Sequence, residues 1–404
     1  MILTGVIFLR FKKKILSFIL AFIFLINSSF IVFAEIGVEN ECSGFLISDF
    51  ETGEVLEGKN MDKVFPMASI SKIMTYIVVK DTISQGKLKE KDIVEIDRKS
   101  ASIEGSNMAL KVGEKLTVEE LLTGLMVVSA NDAAHALAIK VSGTEEDFVK
   151  KMNLKASEIS LNSGKFYNSS GLQQGENQNK LSIKDIFKMS RYCIQKYPEV
   201  LYYSRYKFLE MPERNFKKES TIPLVGEIKG VDGLKTGYTE EAGYCLVSTM
   251  NVAESGGGEF RLITVIMGIL SIKARETLTA TLLNYATSNY AKKKLVEDGK
   301  IYETIKSNAS KEGILEIVPK KSVSKIVKKD SEIVYESKID ENKTKPPLKS
   351  GEKVGELSIK INNKTEIKTD LIAKNSLTKV GLFTRILRFI VNVIRSILGL
   401  FKFS

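Results

Sequence analysis

Along residues 43–291, the pattern of apolar and polar residues is typical of strands at first, then of helices, and then of strands again. Two short apolar runs around a turn at 51–53 predict a β-hairpin over residues 43–57. The run Thr117-Val118-Glu119-Glu120 is a capping box, which predicts the start of a helix. Helices are predicted from Ser69 to about Gln85, from Thr117 through Val127, from Asn131, from Thr144, from Ser182 to Lys196, and from about Ile272 to Ala291.

Strand-like runs return at Gly230 to Thr236, Gly243 to Met250 and Arg261 to Gly268. Strands at both ends of a region that has helices between them indicate one sheet assembled from distant segments. The predicted class is therefore α/β (α+β), with a sheet flanked by helices and a helical insert, in a first domain of residues 35–292.

The pattern changes after residue 298. Short alternating runs at Ile314–Val318, Glu332–Glu336 and Glu356–Ile361 are separated by charged turns. This pattern predicts a small all-β domain over residues 299–372.

The N-terminal 34 residues have the pattern of an export signal. Basic residues from Arg10 to Lys14 precede an apolar run from Ile15 to Phe33, and Val32-Phe33-Ala34 fits a cleavage site. We expect a signal peptide over residues 1–34, with an uncleaved membrane anchor as the alternative. Either reading places the body of the protein outside the cytoplasm.

The C-terminal segment 379–404 is apolar with polar residues on one side. A polar residue recurs every turn, which is too often for a spanning helix. The spacing instead predicts an amphipathic helix lying on the outer face of the cytoplasmic membrane, with its cations at anionic headgroups. The alternative is a core helix of the last domain. The polar positions, spaced three or four apart, are Arg385, Arg388, Asn392, Arg395, Gly399 and Lys402.

Charge and composition exclude several classes of function. The 404 residues carry a net charge of +11, but residues 1–34 and 371–404 hold four and six basic residues and no acidic one. A nucleic-acid binder concentrates positive charge on its folded domain, so no nucleic-acid partner is expected. Three scattered cysteines predict neither a disulfide framework nor a zinc site. The one histidine, His135, is interpreted as a packing or surface residue rather than a catalyst.

Three short motifs follow one another in the first domain. They are Ser69-Ile70-Ser71-Lys72, Ser129-Ala130-Asn131 and Lys235-Thr236-Gly237. The set S-x-x-K, S-D-N and K-T-G is shared by class A β-lactamases and penicillin-binding proteins. Each motif alone arises easily by chance, whereas all three in this order are a strong signal.

The residue types fit nucleophilic catalysis by serine. Ser69 and Lys72 lie three apart, so a helix places them on one face. A serine hydroxyl needs a base to take its proton, and an amine can serve if its pKa falls well below ~10.4. Burial and the like charge of Lys235 would lower the pKa of Lys72. The helix N-terminus at Ser69 adds positive potential where an oxyanion would form.

The three motifs and their flanking residues closely resemble those of the D-alanyl-D-alanine carboxypeptidases among the low-molecular-weight penicillin-binding proteins. The resemblance covers residues 43–290, and the order of signal, catalytic domain, β domain and amphipathic tail fits the same family. It departs at Ala130, where many relatives carry glycine. The resemblance implies that Ser69 is acylated, that Lys72 is its base, and that Ser129 and Asn131 relay protons and hold the substrate backbone. It also implies that Lys235 and Thr236 meet the terminal carboxylate and that Gly237 lies in the substrate-binding strand. The N–H groups of Ser69 and Tyr238 would form the oxyanion hole, and Arg275, or Lys273 in its place, would help to bind the terminal carboxylate.

The sequence thus predicts a membrane-attached serine-type D-Ala-D-Ala carboxypeptidase of the cell wall. It would remove the terminal D-alanine from peptidoglycan stem pentapeptides through an acyl-enzyme, without metal or cofactor, and would bind β-lactam antibiotics. Two alternatives remain. A class A-like β-lactamase normally has aspartate inside S-D-N and lacks the β domain and the tail, and a silent wall-binding protein has no reason to retain all three motifs.

Overall fold

A computed structural model of the chain describes residues 36–173, 175–253, 258–363 and 365–381, together with scattered residues between 383 and 394. The predicted signal peptide lies outside these residues. The first domain contains, in chain order, β1 (Gly44–Asp49), β2 (Val55–Lys59), β3 (Val64–Pro66), α1 (Lys72–Ser84), β4 (Ile93–Glu95), α2 (Arg98–Ala101), β5 (Lys115–Thr117), α3 (Val118–Val127), α4 (Asn131–Ser142), α5 (Glu145–Glu158), β6 (Lys180–Ser182), α6 (Ile183–Lys196), α7 (Val200–Tyr203), β7 (Phe208–Met211), β8 (Phe216–Glu219), β9 (Val231–Thr239), β10 (Gly243–Ala253), β11 (Glu259–Ile269) and α8 (Ile272–Asn289).

The β-rich second part follows directly from α8. Its strands are β12 (Tyr290–Val296), β13 (Glu303–Lys306), β14 (Ile314–Pro319), β15 (Val323–Lys328), β16 (Ile333–Ile339), β17 (Lys353–Ile361) and β18 (Thr365–Ala373).

The central sheet joins both ends of the first domain. Its strand order is β2-β1-β11-β10-β9, and every neighbouring pair is antiparallel. The predicted sheet of distant segments is therefore confirmed. β9 continues past the predicted end at Thr236 to Thr239, because β10 pairs with it along its whole length, up to Gly243 opposite Thr239.

Helices cover both faces of this sheet. α8 packs on one face, where Leu278 and Leu282 join Phe260 and Leu262 of β11 in one apolar cluster. The helical insert covers the other face, and the ten residues 72–81 of α1 are all buried. A helix with no solvated face belongs to the centre of a domain.

The predicted helices are present, but the last ends at Asn289 rather than at about Ala291, and the first begins later than predicted. Residues Ala68–Ser71 form a 3-10 turn, and the α-helix begins at Lys72 rather than at Ser69. Ala68 has a positive φ of 46°, so the chain enters the turn from a conformation that an α-helix does not use. The capping box of α3 is confirmed, because Thr117 accepts from the Glu120 N–H and the Glu120 side chain accepts from the Thr117 N–H.

The second part forms a five-stranded antiparallel sheet of order β13-β14-β18-β17-β16, while β12 pairs with β15. Because β12 starts where α8 ends, this β-rich part begins at Tyr290, before the predicted boundary at residue 299. It also continues past residue 372, since Leu377 bridges to Leu348 and the Val380 N–H donates to the Ala309 carbonyl.

Beyond Gly381, the described residues between 383 and 394 are helical, and apolar side chains there, such as Phe383 and Ile386, are exposed. Among the helices in the described residues, none combines the length and the apolar character needed to cross a bilayer. The basic positions of the predicted amphipathic tail, Arg385, Arg388, Arg395 and Lys402, lie outside the described residues.

Candidate active site

All three motifs meet at one cleft of about 1290 Å³. The first motif forms the 3-10 turn and the start of α1, the second leads into α4 and ends at its first residue, and the third lies in β9. The predicted site residues that line the cleft are Ser69, Ser129, Asn131, Thr236, Gly237, Tyr238 and Arg275. Lys72 and Lys235 lie behind this surface, fully buried.

The backbone takes unusual conformations on both sides of the cleft. Ala68, next to Ser69, has φ 46°, and Ser129 has φ 60°. Non-glycine residues held at positive φ cost free energy and cluster at functional sites. β9 approaches the first motif so closely that a Cβ at Gly237 would lie 2.8 Å from the Met67 carbonyl oxygen, which explains the glycine there.

Lys72 lies between three oxygen atoms. Its Nζ is 2.7 Å from Ser69 Oγ, 2.7 Å from Asn131 Oδ1 and 2.8 Å from the Ser170 carbonyl oxygen. An ammonium can donate to all three. A neutral amine has two hydrogens and one lone pair, so it can donate hydrogen bonds to two of these oxygens and accept one from the third. Only the Ser69 hydroxyl carries a hydrogen that it can donate.

The electrostatics of this region favour the neutral amine. Burial holds the pKa of Lys72 well below its ordinary value of 10.5, and the positive charge of Lys235 lowers it further, while Asp132 opposes both. With a lowered pKa, Lys72 can act as a base for the hydroxyl of Ser69.

Lys235 and Arg275 bring two cations to the β9 side of the cleft. Burial lowers the pKa of Lys235 to about 7, and the charge of Arg275 contributes in the same direction. Lys235 Nζ donates to the Thr236 carbonyl at 3.2 Å, and neither cation forms an ion pair with any described residue. Two buried cations without a carboxylate partner are suited to binding an anionic group.

Arg275, rather than Lys273, reaches the cleft. Its guanidinium lies over the ring of Tyr244, 5.9 Å from the centroid, and Tyr244 stacks on Tyr238 at 4.2 Å. The Arg275 Nε is buried and finds no hydrogen-bond partner among the described groups. Lys273, two residues earlier on α8, is exposed.

Asn131 links the second motif to the first. Its Oδ1 accepts from Lys72, and its Nδ2 donates to the Glu104 carbonyl at 2.8 Å. Ala130, where the family resemblance expects glycine, has φ −63° and therefore needs no glycine. The strained position is Ser129 instead, and its side chain is buried beside the cleft.

The structure adds a loop that the motifs do not contain. Ser170 supplies a carbonyl oxygen to Lys72, and Gly171 and Leu172 line the cleft. A Cβ at Gly171, where φ is 82°, would lie 1.8 Å from the Ala68 carbonyl oxygen. The polar run 168–171 marks a loop in the sequence, but no sequence signal indicates which of its carbonyls points at Lys72.

His135 is buried and lies away from the cleft lining, as expected for a packing residue. Asp132, the residue after Asn131, accepts hydrogen bonds from the backbone N–H groups of Met108 and Leu110. These bonds tie the segment before α3 to the second motif. In the described part of the chain, no cluster of three or more His, Cys, Asp or Glu side chains is placed to hold a metal ion.

Two family models match the chain. A model described as D-alanyl-D-alanine carboxypeptidase matches residues 33–271, and a model of the penicillin-binding protein 5 C-terminal domain matches residues 290–379. The chain is 31% identical over 350 residues to the D-alanyl-D-alanine carboxypeptidase DacF of Bacillus subtilis (strain 168), covering 85% of this chain and 88% of that one.

Solved structures agree with the family models. The D-alanyl-D-alanine carboxypeptidase DacD from Francisella tularensis is 28% identical, with a TM-score of 0.67 over 84% of this chain and 94% of that chain. Penicillin-binding protein D2 from Listeria monocytogenes, in an ampicillin-bound form, is 31% identical, with a TM-score of 0.54 over 60% of this chain and 96% of that chain.

Proposed function

The chain belongs to the D-alanyl-D-alanine carboxypeptidase family, and from that premise we propose that Ser69 and Lys72 carry out its reaction, the removal of the terminal D-alanine from peptidoglycan stem pentapeptides. The enzyme is a serine-type carboxypeptidase. The observation that carries the assignment of residues is the buried Lys72 amine, 2.7 Å from the Ser69 hydroxyl oxygen.

Acylation begins when Ser69 Oγ attacks the carbonyl carbon of the penultimate D-alanine. Lys72 takes the hydroxyl proton, and the backbone N–H groups of Ser69 and Tyr238 stabilise the oxyanion. The tetrahedral intermediate collapses with cleavage of the C–N bond, and the proton held by Lys72 passes through Ser129 to the leaving amine of the terminal D-alanine, which restores the neutral base. Lys72 then deprotonates a water molecule that attacks the ester, and it returns this proton to Ser69 Oγ as the shortened stem peptide leaves.

The substrate carboxylate is proposed to bind on the β9 side of the cleft. Lys235, Thr236 and Arg275 are proposed to bind it, since cations paired with a carboxylate make charge-assisted hydrogen bonds. Gly237 and Asn131 are proposed to hold the backbone of the substrate peptide, which would lie along the edge strand β9. Penicillin carries both a reactive amide and a carboxylate, so the same groups are proposed to bind β-lactams.

Intact-protein mass spectrometry after incubation with benzylpenicillin tests the nucleophile. We expect one adduct, mapped to Ser69, and none in Ser69→Ala. Lys72→Ala should slow acylation by ~10²–10⁴-fold, the usual size of general-base catalysis. Ser71→Ala is the matched control, because the Ser71 hydroxyl is buried without a hydrogen-bond partner and should be dispensable.

Hydrolysis of a D-Ala-D-Ala peptide, compared with hydrolysis of benzylpenicillin, separates the alternative functions, while the adduct tests the nucleophile. An adduct on Ser71 or Ser129, or no adduct on the folded protein, would refute the assignment. A β-lactamase would instead turn over benzylpenicillin rapidly and leave a D-Ala-D-Ala peptide intact, and a silent wall-binding protein would act on neither.

We further propose that the protein is exported by residues 1–34 and held at the outer face of the cytoplasmic membrane by its C-terminal tail. The support is the one-sided arrangement of cations in an apolar segment without acidic residues. Deletion of residues 382–404 leaves the β-domain contacts of Leu377 and Val380 intact. The shortened, signal-processed enzyme should leave the membrane fraction and keep its turnover of a soluble peptide. If it still sediments with membranes, the tail is not the anchor.

A further inference from the structure

The base Lys72 is oriented by a backbone carbonyl, and this inference rests on the proposed function of that residue. As a neutral amine, Lys72 can give its two hydrogens to Asn131 Oδ1 and to the Ser170 carbonyl, at 2.7 and 2.8 Å. The lone pair then points to the remaining partner, Ser69 Oγ. The positions of these two acceptors therefore decide whether the amine can take the hydroxyl proton.

The residue before Ser170 is held by a buried carboxylate. Glu145 Oε1 accepts from the Ser169 N–H at 3.0 Å and from the Ser169 hydroxyl at 2.7 Å. Thr75, one turn after Lys72 on α1, donates to the Ser169 carbonyl at 2.5 Å. The loop is thus fastened on both sides of Ser169, and Ser170 follows directly.

The surroundings of Glu145 keep its carboxylate on Ser169. Glu145 is only 9% exposed at the start of α5, and its Oε2 lies 3.9 Å from His135 Nε2. The Ser100 hydroxyl donates a hydrogen bond to the Asp97 carboxylate at 2.6 Å. Its oxygen can therefore only accept from His135, so Nδ1 of the His135 ring carries a hydrogen and donates it to Ser100 Oγ. Burial lowers the pKa of His135, which favours the neutral ring, and its Nε2 has no hydrogen-bond partner among the described groups. In the neutral ring Nε2 presents a lone pair, which a carboxylate oxygen cannot bond.

We propose that Glu145 is a positioning residue of the active site, which holds Ser169 through its N–H and hydroxyl so that the carbonyl of the next residue, Ser170, orients the Lys72 amine towards Ser69. Glu145 does not touch the substrate, so its effect should fall on the rate of acylation and not on binding. The N–H and hydroxyl of Ser169 need an acceptor oxygen at the right distance, and the negative charge of Glu145 is not required.

Three substitutions in the full chain separate geometry from charge. Glu145→Gln keeps an acceptor oxygen for Ser169 and can turn its NH₂ group towards His135 Nε2. Glu145→Asp keeps the charge but draws the oxygens back by one methylene. Glu145→Ala removes both. Glu146→Ala is the matched control, because Glu146 is the next residue of the same helix and is exposed.

The measurement is the rate of acylation by benzylpenicillin as a function of its concentration, which yields a dissociation constant and a maximal first-order rate. We expect Glu145→Ala and Glu145→Asp to lower the maximal rate by about 10²-fold, the loss typical when reacting groups are displaced by about 1 Å. The dissociation constant should stay within about twofold, and Glu145→Gln and Glu146→Ala should acylate at nearly the wild-type rate.

Several results would overturn the proposal. One is a folded Glu145→Ala protein with an unchanged maximal rate. Another is a loss confined to the dissociation constant, and a third is Glu145→Gln as slow as Glu145→Ala while Glu145→Asp is fast. Thermal unfolding of each variant shows whether it is folded at the assay temperature, and Glu145→Gln decides the question if Glu145→Ala is not. Failure of the wild-type protein to acylate at Ser69 would instead refute the proposed function.

Discussion

Replacing Lys235 by methionine should make the protein more stable while it removes binding of the substrate carboxylate. Lys235 is fully buried, and burial lowers the pKa of its amine from 10.5 to about 7, helped by the charge of Arg275. The folded state therefore holds this cation at a cost in free energy that the unfolded chain, where the amine is solvated, does not have. Methionine has similar length and no charge, so the variant avoids that cost.

The pKa difference sets the size and the sign of the effect. Below pH 7 the amine is protonated in both states, and 3.5 pKa units at ~1.36 kcal/mol each correspond to about 5 kcal/mol of destabilisation. Between pH 7 and 10.5 the unfolded state binds more protons, so the stability of the wild-type protein rises with pH. At pH 9 the amine is neutral in the folded state and protonated in the unfolded state. The remaining destabilisation comes from the 1.5 pH units between pH 9 and the unfolded-state pKa of 10.5, and it amounts to about 2 kcal/mol. The advantage of Lys235→Met should thus shrink by about 3 kcal/mol between pH 6 and pH 9.

Lys72 adds to the same trend. The charge of Lys235 is one cause of its lowered pKa. Removing that charge relieves Lys72 as well, which stabilises the variant further at low pH. Loss of the hydrogen bond to the Thr236 carbonyl opposes this by about 1 kcal/mol.

Urea unfolding followed by circular dichroism at pH 6 and pH 9 measures the effect. The free energy of unfolding of Lys235→Met minus that of the wild-type protein is compared at the two pH values, so groups whose pKa is the same in both proteins cancel. Lys229→Met is the control, because Lys229 is exposed and precedes the same strand. A difference that is the same at pH 6 and pH 9 would refute the reasoning, whatever its absolute size.

Two further predictions concern the walls of the cleft. Arg275→Ala should raise KM for a D-Ala-D-Ala peptide by about tenfold to a hundredfold, the size of a lost hydrogen bond to a charged group. In steady-state kinetics, a fall in kcat at unchanged KM would contradict its role in carboxylate binding. Gly171→Ala should slow acylation strongly, because its Cβ would meet the Ala68 carbonyl, whereas Gly175→Ala, at a similarly positive φ with open space around it, should acylate normally. Equal rates for the two variants would show that the close approach at Gly171 is unimportant.

The helices and strands were largely predictable because their signals are local. The capping box at Thr117 and the hairpin over residues 43–57 depend on residues adjacent in the chain, and both are present. Boundaries were less certain where tertiary contacts decide them. The α-helix starts at Lys72 instead of Ser69, and the β-rich part begins at Tyr290 because α8 passes directly into a strand.

The sequence by itself determined which side chains could carry the chemistry and in what order they occur, since the three motifs are runs of neighbouring residues. Only the tertiary structure decided their distances, because Lys72, Asn131 and Ser170 come from segments far apart in the chain. It also decided which cation beyond the third strand reaches the cleft, Arg275 and not Lys273. The roles of the Ser170 carbonyl and of Glu145 had no sequence signal, because every residue carries a backbone carbonyl and a glutamate in a first helical turn is ordinary. The lowered pKa of Lys72 likewise arises from burial and from the charge of a distant lysine, both of which exist only in the folded protein.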